Sequence, residues 1–186
     1  MKNLIFVVII GIFISACSNS GSNTQSNEQG GKNEIVITND LENAKGVIPG
    51  WMNENTIITM QDPKAHSGEF SSVISESFPY SYYYKELVKN IKNEVPKSAT
   101  FSGWVYTTIV NPNFSIICDI KQDTIGYDWK AFPLDKVLSE TGKWVEFSSS
   151  FTFNKPLNPD QTIAIFAWNQ SKEPIYIDDL KITFYY

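Results

Sequence analysis

Beyond residue 33, apolar and polar residues alternate in short runs separated by turn-forming residues. Period two is the signature of a strand with one buried face, because successive side chains leave opposite sides of the backbone. The pattern predicts strands at 35–38, 55–61, 71–76, 99–108, 114–121, 127–134, 144–153, 162–168 and 175–185. In the seventh run, Val145, Phe147, Phe151 and Phe153 share one face, with Trp144, Glu146, Ser148, Ser150 and Thr152 on the other. Phe114, Ile116, Cys118 and Ile120 share a face in the same way. Asn-Pro-Asn at 111–113, Asn-Pro-Asp at 158–160 and Thr141-Gly142-Lys143 separate the runs. Proline fixes φ there, and Asn or Asp side chains bond back to the backbone. Only 84–94 could hold a turn or two of helix, which Pro96 closes. Nine short strands with so little helix predict an all-β fold, a β-sandwich or jelly roll, in one domain from 34 to 186.

The first residues follow a different pattern. One lysine, Lys2, precedes an apolar run from 4 to 14 broken only by Gly11. A bilayer span needs about 20 apolar residues, so a run of this length reads as the h-region of a secretion signal covering residues 1–16. Ile14-Ser15-Ala16-Cys17 resembles the bacterial lipobox, an aliphatic and two small residues before a cysteine. That resemblance implies a diacylglycerol on Cys17 and a lipoprotein anchored at the cell envelope. Residues 18–32 are small and polar with one acid, Glu28. They cannot bury enough surface to offset chain entropy, so 17–33 is expected to be a flexible tether. Such a coil would hold the domain roughly 20 Å from the bilayer. Ser18, rather than Asp, after the cysteine resembles lipoproteins passed to the outer membrane.

Composition narrows the partners. The chain has no arginine, and its lysines number 15 against 20 acids; loss of Lys2 with the signal leaves 14 against 20, a charge of −6. Nucleic-acid binding relies on a basic footprint, which is missing. Cys118 is the one cysteine besides Cys17, so the mature domain has no intrachain disulfide. In its apolar run Cys118 is expected to pack as a small hydrophobe.

An ordered set of elements carries a further resemblance. It runs Asn39-Asp40-Leu41-Glu42, Gly50-Trp51, Lys64-Ala65-His66-Ser67-Gly68-Glu69, Ser102-Gly103-Trp104-Val105, Trp144-Val145-Glu146-Phe147 and Tyr176-Ile177-Asp178-Asp179-Leu180. The set is similar to galactose-binding-like jelly rolls used as carbohydrate-binding modules, nearest to the CenC-like modules. It covers the chain from Asn39 to the C-terminus. The resemblance implies a structural Ca2+ held by Glu42, by Ser67 through its backbone, and by Asp179 or Asp178. Calcium takes six to eight oxygen ligands, and mixed carboxylates and carbonyls suit it. The competing reading is that the two aspartates cap a strand by hydrogen bonds and Glu42 is solvated.

Sugar binding needs aromatic faces for the C–H patches of pyranose rings, with polar groups beside them for the hydroxyls. The candidates are Tyr80, Tyr82, Tyr83 and Tyr84, then Tyr127 and Trp129 as a two-ring platform on one strand face, and Trp168 with Asn169 and Gln170. The expected ligand set is Tyr82, Tyr83, Tyr127, Trp129, Trp168 and Asn169. Trp104, Trp144, Phe147 and Phe166 are expected in the core or as sheet cover. No catalytic site is expected: there is one histidine, no Ser/His/Asp order and no phosphate-binding glycine loop. The sequence therefore reads as a lipid-anchored, non-catalytic glycan-binding module at the outer membrane, with polysaccharide or oligosaccharide as partner. The rival is a structural or protein-interaction lipoprotein with its aromatics buried, and a glycan-active hydrolase comes third.

Overall fold

The computed structural model describes residues 33–186 apart from positions 45 and 136. The signal, Cys17 and nearly all of the tether lie outside the described residues. The strands are β1 (Glu34–Asn39), β2 (Trp51–Met52), β3 (Ile57–Thr59), β4 (Phe70–Ile74), β5 (Tyr83–Leu87), β6 (Ser98–Thr107), β7 (Phe114–Gln122), β8 (Ile125–Pro133), β9 (Trp144–Thr152), β10 (Thr162–Asn169) and β11 (Ile175–Tyr185). A single helical turn, α1 (Val88–Ile91), follows β5. The first sheet runs β3-β4-β11-β6-β9 with β1 also paired to β11, and the second runs β2-β5-β10-β7-β8. Every ladder is antiparallel. The two sheets pack face to face as a β-sandwich jelly roll, as the alternation predicts.

The nine predicted strands are present, and β2 and β5 are additional. The helical turn expected within 84–94 is α1, and it begins only at Val88 because Tyr84 pairs with Ile165 and Tyr83 and Tyr84 continue the second sheet. Aromatic residues fit a half-buried strand, and this tertiary pairing overrides the helix-forming Lys-Glu-Leu stretch. One face of each sheet supplies the core: Phe101, Phe147, Phe151, Ile177, Ile182 and Phe184 meet Phe114, Ile116, Cys118, Ile120, Ile163 and Ile165. Each such side chain contributes about 1.5–3 kcal/mol on full burial. Cys118 is a free thiol buried among them, and burial raises its pKa well above the ordinary range.

One strand departs from alternation. Residues Phe114 to Ile120 of β7 are all buried, so the outward-facing Ser115, Ile117 and Asp119 are covered as well as the core-facing positions. What covers them is the feature on which function turns.

A ring-covered sheet face and a carboxylate latch

Cross-strand register fixes which side chains share the outer face of the second sheet, because residues directly opposite in an antiparallel pair point the same way. Phe166 lies opposite Ile117, Trp168 opposite Ser115, and Asp119 opposite both Ala164 and Trp129. Tyr80 bridges to Trp168 just before β5 begins. The rings close over the middle strand. Trp129 reaches across β7 to Phe166 at 6.0 Å and Trp168 at 6.4 Å, both edge to face. Phe166 also meets Tyr80 at 5.4 Å and Tyr83 at 5.9 Å, and Tyr80 meets Trp168 at 6.3 Å. Five rings from three segments thus form one continuous surface, and Ile117 is fully buried beneath it. Trp129, on the edge strand, stays 51% exposed.

The rings are not coplanar. Trp129 stands at 82° to Trp168 and 65° to Phe166, while Tyr80 tilts only 36° from Trp168. The face is stepped, with Trp129 as a wall beside a floor of Trp168 and Tyr80. Asp119 sits on the same face opposite Trp129 and pairs with Lys121 at 3.0 Å. Apolar ring faces and a charged hydrogen-bonding pair therefore lie side by side.

Three expected ligand residues belong to this face: Tyr83, Trp129 and Trp168. Three do not. Tyr82 is 0% exposed and stacks on Trp51 at 5.3 Å within the core. Strand parity explains it, since Tyr82 and Tyr84 point inward where Tyr83 points outward; burial, then the nearby Glu54, pushes the Tyr82 hydroxyl up to about 12. Tyr127 is parted from Trp129 by a register shift where Ile120 faces Asp128 but Lys121 faces Gly126. The extra residue re-aims the side chain, as bulges do. Its hydroxyl donates to the Pro156 carbonyl at 2.9 Å and its ring packs against the core and beneath Lys155. Tyr127 instead lines a shallow cleft of about 520 Å³ with Gln122, Asn158 and Gln161. Asn169 is 3% exposed, and its amide is spent on the chain itself. Its Nδ2 donates to the Ile74 and Glu173 carbonyls at 2.9 Å, while Oδ1 accepts from the Ser171 N–H at 2.8 Å. The residue missed as a ligand candidate is Phe166, expected as core or sheet cover. Parity was the available signal, because Ile163, Ile165 and Ala167 face inward and so send Phe166 out beside Trp168.

The candidate calcium residues lie on the other sheet, around the turn at 65–68. Glu42 accepts the Glu69 N–H and the Phe70 N–H at 3.0 Å. Asp178 Oδ2 accepts the His66 N–H at 2.9 Å, the Ser67 N–H at 3.3 Å and the Ser71 hydroxyl at 3.3 Å, and Oδ1 accepts the Asp179 N–H at 2.7 Å. Ser67 Oγ donates to Asp179 Oδ1 at 2.7 Å, and His66 Nδ1 lies 2.5 Å from Asp179 Oδ2. His66 is also stacked on Trp104 at 3.9 Å. Two backbone features shape this corner. Asp179 sits at φ 49 within a bulge of β11, and Gly103 passes so close that a Cβ would lie 2.9 Å from the Asp178 carbonyl oxygen. Gly68, at φ 55, leaves the space that the Glu42 carboxylate fills. All six oxygens of Glu42, Asp178 and Asp179 have a hydrogen-bond donor within reach. Donors aimed at every carboxylate oxygen suit a hydrogen-bonded latch and not a calcium cage. Among the described residues no group of three or more His, Cys, Asp or Glu is disposed to hold a metal ion.

No protein-family model matches the chain, and none of the curated proteins matches it. Solved structures do resemble it. The CBM22-1–CBM22-2 tandem domain from Paenibacillus barcinonensis aligns at TM-score 0.50 and 9% identity, over 80% of this chain and 44% of that one. The CBM22-2 xylan-binding domain from the same organism aligns at TM-score 0.48 and 14% identity, over 80% of this chain and 98% of that one. The C-terminal family 22 carbohydrate-binding module of a Clostridium thermocellum xylanase gives TM-score 0.47 and 12% identity, over 80% and 92%. At these identities the likeness is one of fold alone, a β-sandwich jelly roll.

Proposed function

We propose that this chain is a non-catalytic glycan-binding module, held at the bacterial envelope by a lipid on Cys17, and that the ring-covered face of the second sheet is its ligand surface. The observation that carries the reading is the set of five contiguous rings, Tyr80, Tyr83, Trp129, Phe166 and Trp168, with Trp129 half exposed at the edge. Sandwiches bury aromatics in their core; rings laid on an outward face cost hydration and call for a partner. A pyranose stacks its C–H patch on such a ring, and its hydroxyls reach the Asp119–Lys121 pair beside Trp129. Charged hydrogen bonds of that kind fix orientation while the rings supply contact area. The stepped arrangement favours a single glycan chain over a flat crystalline surface.

The xylan-binding domains among the structural neighbours make xylan the first polysaccharide to try. Affinity electrophoresis of residues 33–186 through gels containing xylan, mixed-linkage β-glucan or host glycans tests the reading. Retardation in any of these gels supports it. Migration equal to that in plain gel across the whole set would favour the rival, a protein-interaction lipoprotein.

A further inference from the structure

The strand at the open edge of the second sheet has an unusual sequence. β8, Ile125–Pro133, pairs with β7 on one side and ends the sheet on the other. It carries Ile125 (73% exposed), Trp129 and Phe132 (43% exposed), three large exposed apolar residues where no other strand among the described residues has more than one. The other strands that end a path are unlike it. β2 and β3 have two and three residues, and β9 exposes Glu146, Ser148, Ser150 and Thr152. A long apolar edge presents unpaired N–H and C=O groups to any strand that can align with it.

We infer that β8 is an interface for a second copy of this chain, paired antiparallel about Trp129. The argument is self-complementarity. Reading the strand against itself with Trp129 opposite Trp129 sets Asp128 opposite Lys130 twice across the two-fold axis, within the regular part of β8 that begins past the bulge at Tyr127. Opposite charges and facing aromatic rings are pairs that stabilise antiparallel strands. Centring the two-fold on Asp128 or on Lys130 instead sets like charges opposite one another, Asp128 against Asp128 or Lys130 against Lys130. Within one copy Lys130 Nζ lies 3.2 Å from Asp128 Oδ2, so the two charges already sit on one side of the strand. Lys155 Nζ donates to the Tyr127 carbonyl at 3.2 Å, which with the bulge confines the pairing to the strand from Asp128 on. A two-fold axis normal to the sheet keeps both outer faces on the same side. It thereby joins the two ring-covered surfaces into one across the Trp129 seam, but the pairing does not depend on what those surfaces bind.

Sedimentation velocity on residues 33–186 over a concentration series tests it, because both sheets and the whole core lie within that span. The wild-type chain is expected to move from monomer to dimer as concentration rises. Asp128→Lys and Lys130→Asp, each alone, place like charges opposite one another twice and weaken association by about tenfold or more. An equal mixture of the two variants sets Lys opposite Asp again and restores the dimer, which loss of the intrachain pair could not do. A wild-type chain that stays monomeric throughout overturns the inference, as do single variants that dimerise like wild type or a mixture that does not associate. Should a variant fail to fold, hydrogen exchange of the wild type decides. Amide protection at 128–130 that rises with protein concentration supports the pairing, and protection that is unchanged overturns it.

Discussion

Tyr82 and Tyr83 are neighbours in sequence with opposite fates, and the contrast shows what a single residue can and cannot announce. Tyr82 lies in the core against Trp51, and Tyr83 lies under Phe166 on the outer face. Replacing Tyr82 with alanine empties a core position and should lower stability by about 3–5 kcal/mol. Replacing Trp129, which is half exposed, should leave the denaturation midpoint nearly unchanged while weakening glycan binding at least tenfold. Chemical denaturation beside a binding titration separates the two, and a Trp129→Ala variant that unfolds early but binds normally would contradict the assignment. At this scale the sequence was legible only through parity. The cluster of tyrosines signals aromatic contact, but which ring faces inward depends on where β5 pairs with β10. Asn169 beside Trp168 looked like a ligand amide for the same reason, though the carbonyls of Ile74 in β4 and of Glu173 in the turn before β11 claim it.

The elements were easier to read than the contacts between them. Period two placed nine strands because each has one face in the core. It missed β5, whose pairing with β10 is long-range, and it missed the bulge in β8 that parts Tyr127 from Trp129. At the turn at 65–68, hydrogen bonds to Asp178 and Asp179 form a latch that joins the turn to β11, and Glu42 holds the backbone just after it. Burial, partly offset by the Asp179 N–H, raises the Asp178 carboxyl to about 6 from its ordinary 3.8. Because the folded value lies above the unfolded one, the folded chain holds the proton more tightly. That contribution is full below pH 3.8 and is lost as pH rises through about 6. Stability measured against pH should therefore slope downward across that window in the wild type, and Asp178→Asn should remove the slope. An identical slope in both proteins would assign the effect elsewhere. The latch also predicts that chelator leaves the melting midpoint unmoved, since a cation bound only by the folded state would raise it; a clear rise with added calcium contradicts the latch.

For the whole molecule, the sandwich was legible in the spacing of strands and turns, and the ordered elements from Asn39 to Leu180 pointed to the jelly roll that the solved neighbours share. Fold of this kind does not by itself give function, because one sandwich hosts many roles. The function proposed here rests on where five rings come together, and no run of sequence places them together; three separate segments meet over β7 only once the second sheet has formed. The anchor at Cys17 and the tether complete the proposal by giving such a module a reason to be acidic and free of basic membrane patches. Its central claim is that the outer face of the second sheet holds a glycan. A glycan array probed with residues 33–186 and, in parallel, with the Trp129→Ala form tests this most directly. The account predicts signal on at least one polysaccharide for the wild type and its loss in the variant; silence across the array, or a signal that survives the substitution, would contradict it.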